Sequence, residues 1–232
     1  MSYAYKTSYT LDGESIYILP VGSIEQHDDL PLGTDTFIAE CIAWKVRDKL
    51  EEQGVNTVVM PPIYYGFSPE WRHVRGTITL DPVTFCNTIK SIVEGLACSG
   101  ASKIVILNGH GGNSGILKGC LQGLIGGLDR NDILIAHIDY YRYIKDARLG
   151  HACSVERSLL QYCGIDAPLK PINPVEKSFE SWVYYSSLPR EPVAIIPPGS
   201  KALSVETIED MINSITSNII GFISMGRQKA FP

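Results

Sequence analysis

Short, nearly continuous apolar runs alternate along the chain with longer stretches in which apolar residues recur every three or four positions. Residues 15–21 are apolar at almost every place and end at Gly22 and Ser23, which predicts a buried strand and a turn. Over 37–52 the residues Ile38, Cys41, Ile42, Val46 and Leu50 share one helical face, and Gly54 follows where a helix would stop. Residues 56–60 predict a second strand, closed by Pro61 and Pro62. Residues 82–99 predict a helix with proline in its first turn and Gly100 beyond its end. The apolar run 103–107 leads directly into Asn108-Gly-His-Gly-Gly-Asn113, with helical spacing over 116–128. A further strand is predicted over 132–138 and a further helix over 154–163.

Strands that are apolar on both faces and alternate with helices imply a parallel sheet covered on each side. The expected fold class is therefore α/β, and 232 residues fit a single domain over 1–232. Ligands of such sheets sit beyond the carboxyl ends of the strands, so the loops after strands carry the chemistry. Residues 166–199 are rich in proline and irregular. They read as a surface excursion, within which Trp182-Val-Tyr-Tyr185 offers a lid or an oligomer contact.

The chain is 44% hydrophobic and 19% charged, enough apolar surface to exclude intrinsic disorder. A net charge of −5 gives no electrostatic case for nucleic acid or an anionic membrane. No run reaches the ~20 apolar residues of a membrane span, and Met1-Ser-Tyr-Ala-Tyr-Lys6 lacks the basic-then-apolar pattern of a leader. The six cysteines stand singly, with no C-x-x-C pair. They suggest neither a zinc knuckle nor a disulfide framework and read as reduced core thiols, which implies a cytoplasmic protein.

Glu25 and His27 lie two residues apart in what reads as extended chain, so both leave one face. A carboxylate beside an imidazole makes a ready pair of ligands for a divalent ion. Asp35 follows a Pro-Leu-Gly turn and comes within reach as a third ligand if the loop folds back. The bland alternative is a chance triad in a surface loop. His110 stands among Gly109, Gly111 and Gly112, where the backbone can approach a ligand closely; a core histidine would be flanked by packing side chains. The glycines form neither a Walker loop nor a clean G-x-G-x-x-G, since Ser114 falls on the third glycine position. His151 and Glu156, five apart, suit an oriented acid/base histidine. Taken by themselves they suit a helix cap better, with His151 at the entry and Glu156 favoured by the dipole. Cys153, among aliphatic neighbours with no base in view, reads as structural rather than nucleophilic.

Taken in order, Pro20-Val-Gly-Ser-Ile-Glu-Gln-His27, Leu30-Pro-Leu-Gly-Thr-Asp35, Gly66-Phe-Ser-Pro-Glu70, Gly76-Thr-Ile-Thr-Leu80, Asn108-Gly-His-Gly-Gly-Asn113 and His151-Ala with Glu156 resemble the signatures of the creatininase (creatinine amidohydrolase) family. The resemblance implies a three-layer α/β/α fold with a mostly parallel sheet, a metal-dependent hydrolase of amide C–N bonds acting on a small molecule, and a homo-oligomer, commonly a hexamer. It implies that Glu25, His27, Asp35 and His110 ligate one or two divalent ions (zinc, manganese or iron), with Asp35 bridging. His151 would be the acid/base residue near the leaving nitrogen, and Glu156 would either orient His151 or complete the second metal site.

Several positions depart from creatininase itself. Its glutamate ligand two residues after the His110 position is Gly112 here, and the bulky aromatic between them is Gly111. Its Glu-His is Glu70-Trp71, Arg75 replaces a proline, and Cys153 replaces a glycine. The loss at Gly111 opens the pocket towards a larger amide than creatinine. Branches of the family with the Asn-Gly-His-Gly-Gly-Asn form include a deformylase of a formylaminopyrimidine ribotide and a peptidase of the mycofactocin precursor. With no carboxylate at Gly112, either Glu156 replaces it or a single ion is held. From a different class, a small-molecule or nucleotide binder without turnover is an alternative, against which the set of four ligands argues; a protein that binds metal without turnover, its carboxylate lost at Gly112, is the other alternative.

Overall fold

The apolar run after Ser15 forms β1 (Ile16–Val21), buried along its whole length. β2 (Thr57–Val59) and β3 (Lys103–Asn108) flank it in parallel, and β4 (Leu134–Asp139) pairs in parallel with β3. The order is β2-β1-β3-β4. The computed structural model describes residues 2–8, 11–128, 130–145, 147–168, 170–176 and 190–227.

Side chains on a strand point alternately to its two faces, and β1 feeds two cores in this way. Ile16 and Ile18 pack with α1 (Thr34–Glu51), α4 (Ser154–Tyr162) and α5 (Val205–Arg227). Tyr17, Leu19 and Val21 pack with α2 (Pro82–Cys98) and α3 (Asn113–Ile125). The result is the expected α/β/α sandwich with a parallel sheet. The chain leaves β1 for β2 on one side and returns to β3 on the other. The loops after β1 and β3 therefore diverge and open a crevice at the strands' carboxyl ends.

Three features differ from the sequence-based expectation. Helix α1 begins at Thr34 rather than at 37, so Asp35 sits in its first turn instead of a loop, a position the helix dipole favours for a carboxylate. Within the proline-rich stretch, β5 (Pro174–Glu176) and β6 (Ala194–Ile196) form a small parallel pair. Residues 177–189, with the Trp182–Tyr185 tetrapeptide, lie outside the described residues. Finally, four of the six cysteines pair as Cys41–Cys163 and Cys86–Cys120. The expectation of reduced thiols fails there, because α1 packs on α4 and α2 on α3, bringing together cysteines far apart in sequence. The inference of a cytoplasmic location loses that support. Among the described residues no helix is long and apolar enough to cross a membrane.

Candidate metal centre

Every candidate ligand read from the sequence lies at the β1/β3 crevice. Glu25, His27, Asp35, His110 and Glu156 are all buried, and His151 keeps a small exposed edge. Gly109 is what lets α1 approach: a Cβ there would overlap the backbone carbonyl of Asp35. Asp35 then stands between two histidines. Its Oδ1 lies 3.2 Å from His27 Nε2 and its Oδ2 lies 2.9 Å from His110 Nδ1. Ser23 Oγ also donates to Oδ2, at 2.8 Å.

The far nitrogen of each ring faces a backbone carbonyl. His27 Nδ1 is 3.1 Å from the carbonyl of Glu25, and His110 Nε2 is 3.0 Å from that of Phe67. A carbonyl only accepts, so these nitrogens carry hydrogen. The nitrogens facing Asp35 are left either to hold a second proton or to ligate a cation.

Glu156 has two jobs. Its Oε2 accepts from the backbone N–H of Cys153 at the entry of α4, the cap foreseen as the alternative reading, at 3.2 Å. Its Oε1 lies 3.9 Å from His27 Nε2. Glu25 places Oε1 3.4 Å from His151 Nδ1 and Oε2 3.4 Å from His110 Nε2. Among the described residues, ligand atoms fall within 4.8 Å of one another in three groups: His27, Asp35 and Glu156; Glu25, Glu70 and His110; and Glu25, His27 and His151.

Burial and charge pull against each other in this cluster. Burial alone would strip the histidines of their protons, but Asp35, Glu156 and Glu25 push His27 up to about 10. Glu25 and Asp35 do the same for His110, also to about 10. Burial pushes Glu25 and Glu156 up to about 7. Burial opposes the charge of Asp35 as well, yet the two histidines outweigh it and hold this carboxyl well below the usual range. His151 is pushed well below its ordinary value, by burial and then by His27.

Two observations fit a divalent metal. Glu25 Oε2 is a buried oxygen without a hydrogen-bond partner, its charge met by His110 Nε2 at 3.4 Å, and a divalent cation would satisfy it. The donor set also mixes carboxylates with imidazoles fixed by backbone carbonyls, as metal histidines usually are.

Several neighbours were not read from the sequence. Alternation along an extended strand would turn Gln26 away from Glu25 and His27. Gln26 lies beyond the end of β1, and its amide nitrogen reaches His151 Nε2 at 2.7 Å. Its Oε1 accepts from the backbone N–H groups of Asp28 and Val193, which fixes the amide's orientation. His151 Nε2 is thus the acceptor and Nδ1 holds the proton. Trp71 stacks on His151 at 4.6 Å between ring centres and lines a cavity of about 350 Å³ with Asn173, Val175, Arg190, Val193 and Ile195. Cys153 is buried, its thiol pushed up by burial, in keeping with a structural role.

The family model described as "Creatininase: Creatinine amidohydrolase" matches residues 3–167. Creatinine amidohydrolase of Pseudomonas putida is 28% identical over 145 residues, 58% of this chain and 53% of that one. Mycofactocin precursor peptide peptidase of Mycobacterium ulcerans (strain Agy99) is 35% identical over 112 residues, 46% of this chain and 44% of that one. The chain spans about half the length of the curated relatives it matches. A mutant creatininase complexed with creatine shares the fold at a TM-score of 0.77 and 22% identity, over 95% of this chain and 98% of that one. A structure titled as creatininase with Mn does so at 0.72 and 23%, over 89% and 90%. With the family model covering most of its length, and the fold shared, this chain belongs to the creatininase family.

Proposed function

We propose that the chain is a metal-dependent amidohydrolase with a two-ion centre: Glu25 and His110 on one side, His27 and Glu156 on the other, Asp35 between them. The observation that carries this reading is the split carboxylate of Asp35, one oxygen towards each of two histidines whose far nitrogens donate to backbone carbonyls. Glu156 takes the part of the carboxylate missing at Gly112. The carboxylate–imidazole set suits zinc, manganese or iron.

A divalent metal bound there would polarise an amide carbonyl and lower the pKa of water towards ~7. The chain's own residues supply the rest. His151 is neutral near pH 7, with its proton on Nδ1, the atom that faces the cluster. To protonate the departing nitrogen, which leaves poorly as an anion, the ring first takes up a proton from the attacking water and then, as imidazolium, gives one from Nδ1. Gln26 and Trp71 fix the ring on its edge and its face.

A Cβ on Gly111 would meet open space. With the cavity beside His151, this favours an amide larger than creatinine, such as a formamide or a peptide. Assembly into a homo-oligomer, the hexamer included, rests on the family resemblance and is checked by sedimentation.

The test is metal analysis of protein purified without chelator, followed by hydrolysis of creatinine, formamides and short peptides before and after chelation. About two ions per chain and chelator-sensitive amide cleavage are expected. Protein that holds no metal overturns the reading. Metal without cleavage leaves a binding protein.

A further inference from the structure

Among the described residues only two non-glycine residues have positive φ: Asp28 at 56° and Ala152 at 51°. Each directly follows a histidine of the centre, His27 and His151. Such backbones are disfavoured for residues with a Cβ and persist only where the surroundings over-determine them. Both meet the same side chain.

Arg157 is fully buried in the first turns of α4, one residue past Glu156. Its Nε donates to the carbonyl of Ala152 at 3.2 Å. Its Nη2 donates to Asp29 Oδ1 at 2.5 Å and lies 3.8 Å from Asp28 Oδ2. Its Nη1 donates to the carbonyl of Pro168 at 2.8 Å. The Asp28 carboxylate in turn accepts from the backbone N–H groups of Ile172 and Asn173. One guanidinium thus ties together the loop after His27, the loop after His151 and the start of the proline-rich stretch. The two histidine rings lie 4.3 Å apart.

We infer that Arg157 is a positioning residue that sets the spacing of His27 and His151 by clamping the two left-handed residues behind them. The inference rests on the metal reading above. Only a planar fork of donors serves three segments at once; a lysine keeps the charge but not the fork. Partners behind the ligands of a metal site commonly tune its affinity 10- to 100-fold.

The test is the zinc affinity of each site, by competition with a chromophoric chelator, alongside thermal denaturation. For Arg157→Lys we expect one zinc per chain, on the His27 side, to weaken about 10- to 100-fold while the other is unchanged. A lower melting temperature with both affinities unchanged overturns the inference and leaves the metal reading intact. If Arg157→Lys does not fold, Asp29→Asn carries the test: a smaller loss at the same site supports the clamp, and unchanged affinity overturns it. Wild-type protein that takes up no zinc overturns the metal reading, and the clamp with it.

Discussion

The backbone carbonyl of Phe67 stands where a side chain on residue 112 would be. A Cβ on Gly112 would overlap that oxygen, which also accepts from His110 Nε2. The carboxylate absent at this position is therefore excluded by the loop that orients His110. Gly112→Ala should cost about 1–3 kcal/mol, as overpacking does, and loosen metal on the His110 side. Gly111→Ala, which meets open space, should stay within about 0.5 kcal/mol of wild type. Denaturant melts of the pair check this; equal effects would show that Phe67 yields.

Asp35→Ala is expected to lose metal and activity together, because one carboxylate serves both histidines. His151→Ala should keep its metal and lose turnover by ~10²–10⁴-fold, the usual share of an acid/base group. Metal content and rate are measured on the same preparation. Metal loss in the His151 variant would make that residue a ligand.

Glu156→Gln separates the two jobs of this side chain. The amide keeps an oxygen to cap Cys153 N–H, so α4 should stay folded. It no longer offers a carboxylate to the His27 side, and metal should fall from about two ions to about one per chain. Unchanged metal with a slower rate would make Glu156 the orienter of His151 instead.

Metal-free protein should lose stability as pH rises. Glu25 and Glu156 are pushed up to about 7, and His27 and His110 to about 10. For all four, folding favours the protonated form. Their contribution is complete below the unfolded values, about 4.3 for Glu and 6.5 for His, and is lost as pH rises through about 7 and then about 10. Asp35, held low, acts in the opposite sense and loses its contribution in acid. The melting temperature of chelated protein should therefore fall between pH 6 and 10, and zinc uptake at pH 7 should release about three protons per chain, one from each histidine and about half from each glutamate. A rising melting temperature across that window, or uptake without proton release, would count against the electrostatics described.

The sheet and four of its helices were legible because buried parallel strands read as apolar runs and each helix carries a spaced stripe. Helix α5 was not read, although Ile208, Met211, Ile212, Ile215 and Ile219, all of them buried, have helical spacing; it follows a long irregular stretch that masks the periodicity. The six candidate residues were found because each falls in a loop after a strand or at a helix entry. Gln26, Trp71 and Arg157 were not, for a physical reason. Their roles depend on turns that leave extended geometry, on stacking, and on a guanidinium reaching residues 128 positions away. Spacing along one segment carries none of this. The cysteine pairs escaped notice on the same ground, being contacts between helices.

One of those pairs has a mechanical side. Cys41–Cys163 closes a ring of 122 residues that encloses His110, His151 and Glu156, while Glu25, His27 and Asp35 lie on the arm before it. An oxidised chain pulled by its ends would extend roughly 400 Å less than a reduced one, at ~3.3–3.6 Å per residue. Tension then parts the centre between a free arm and a closed ring. The rip that peels β1 from the sheet would release bound metal, although most of the sheet-forming chain remains looped behind the crosslink.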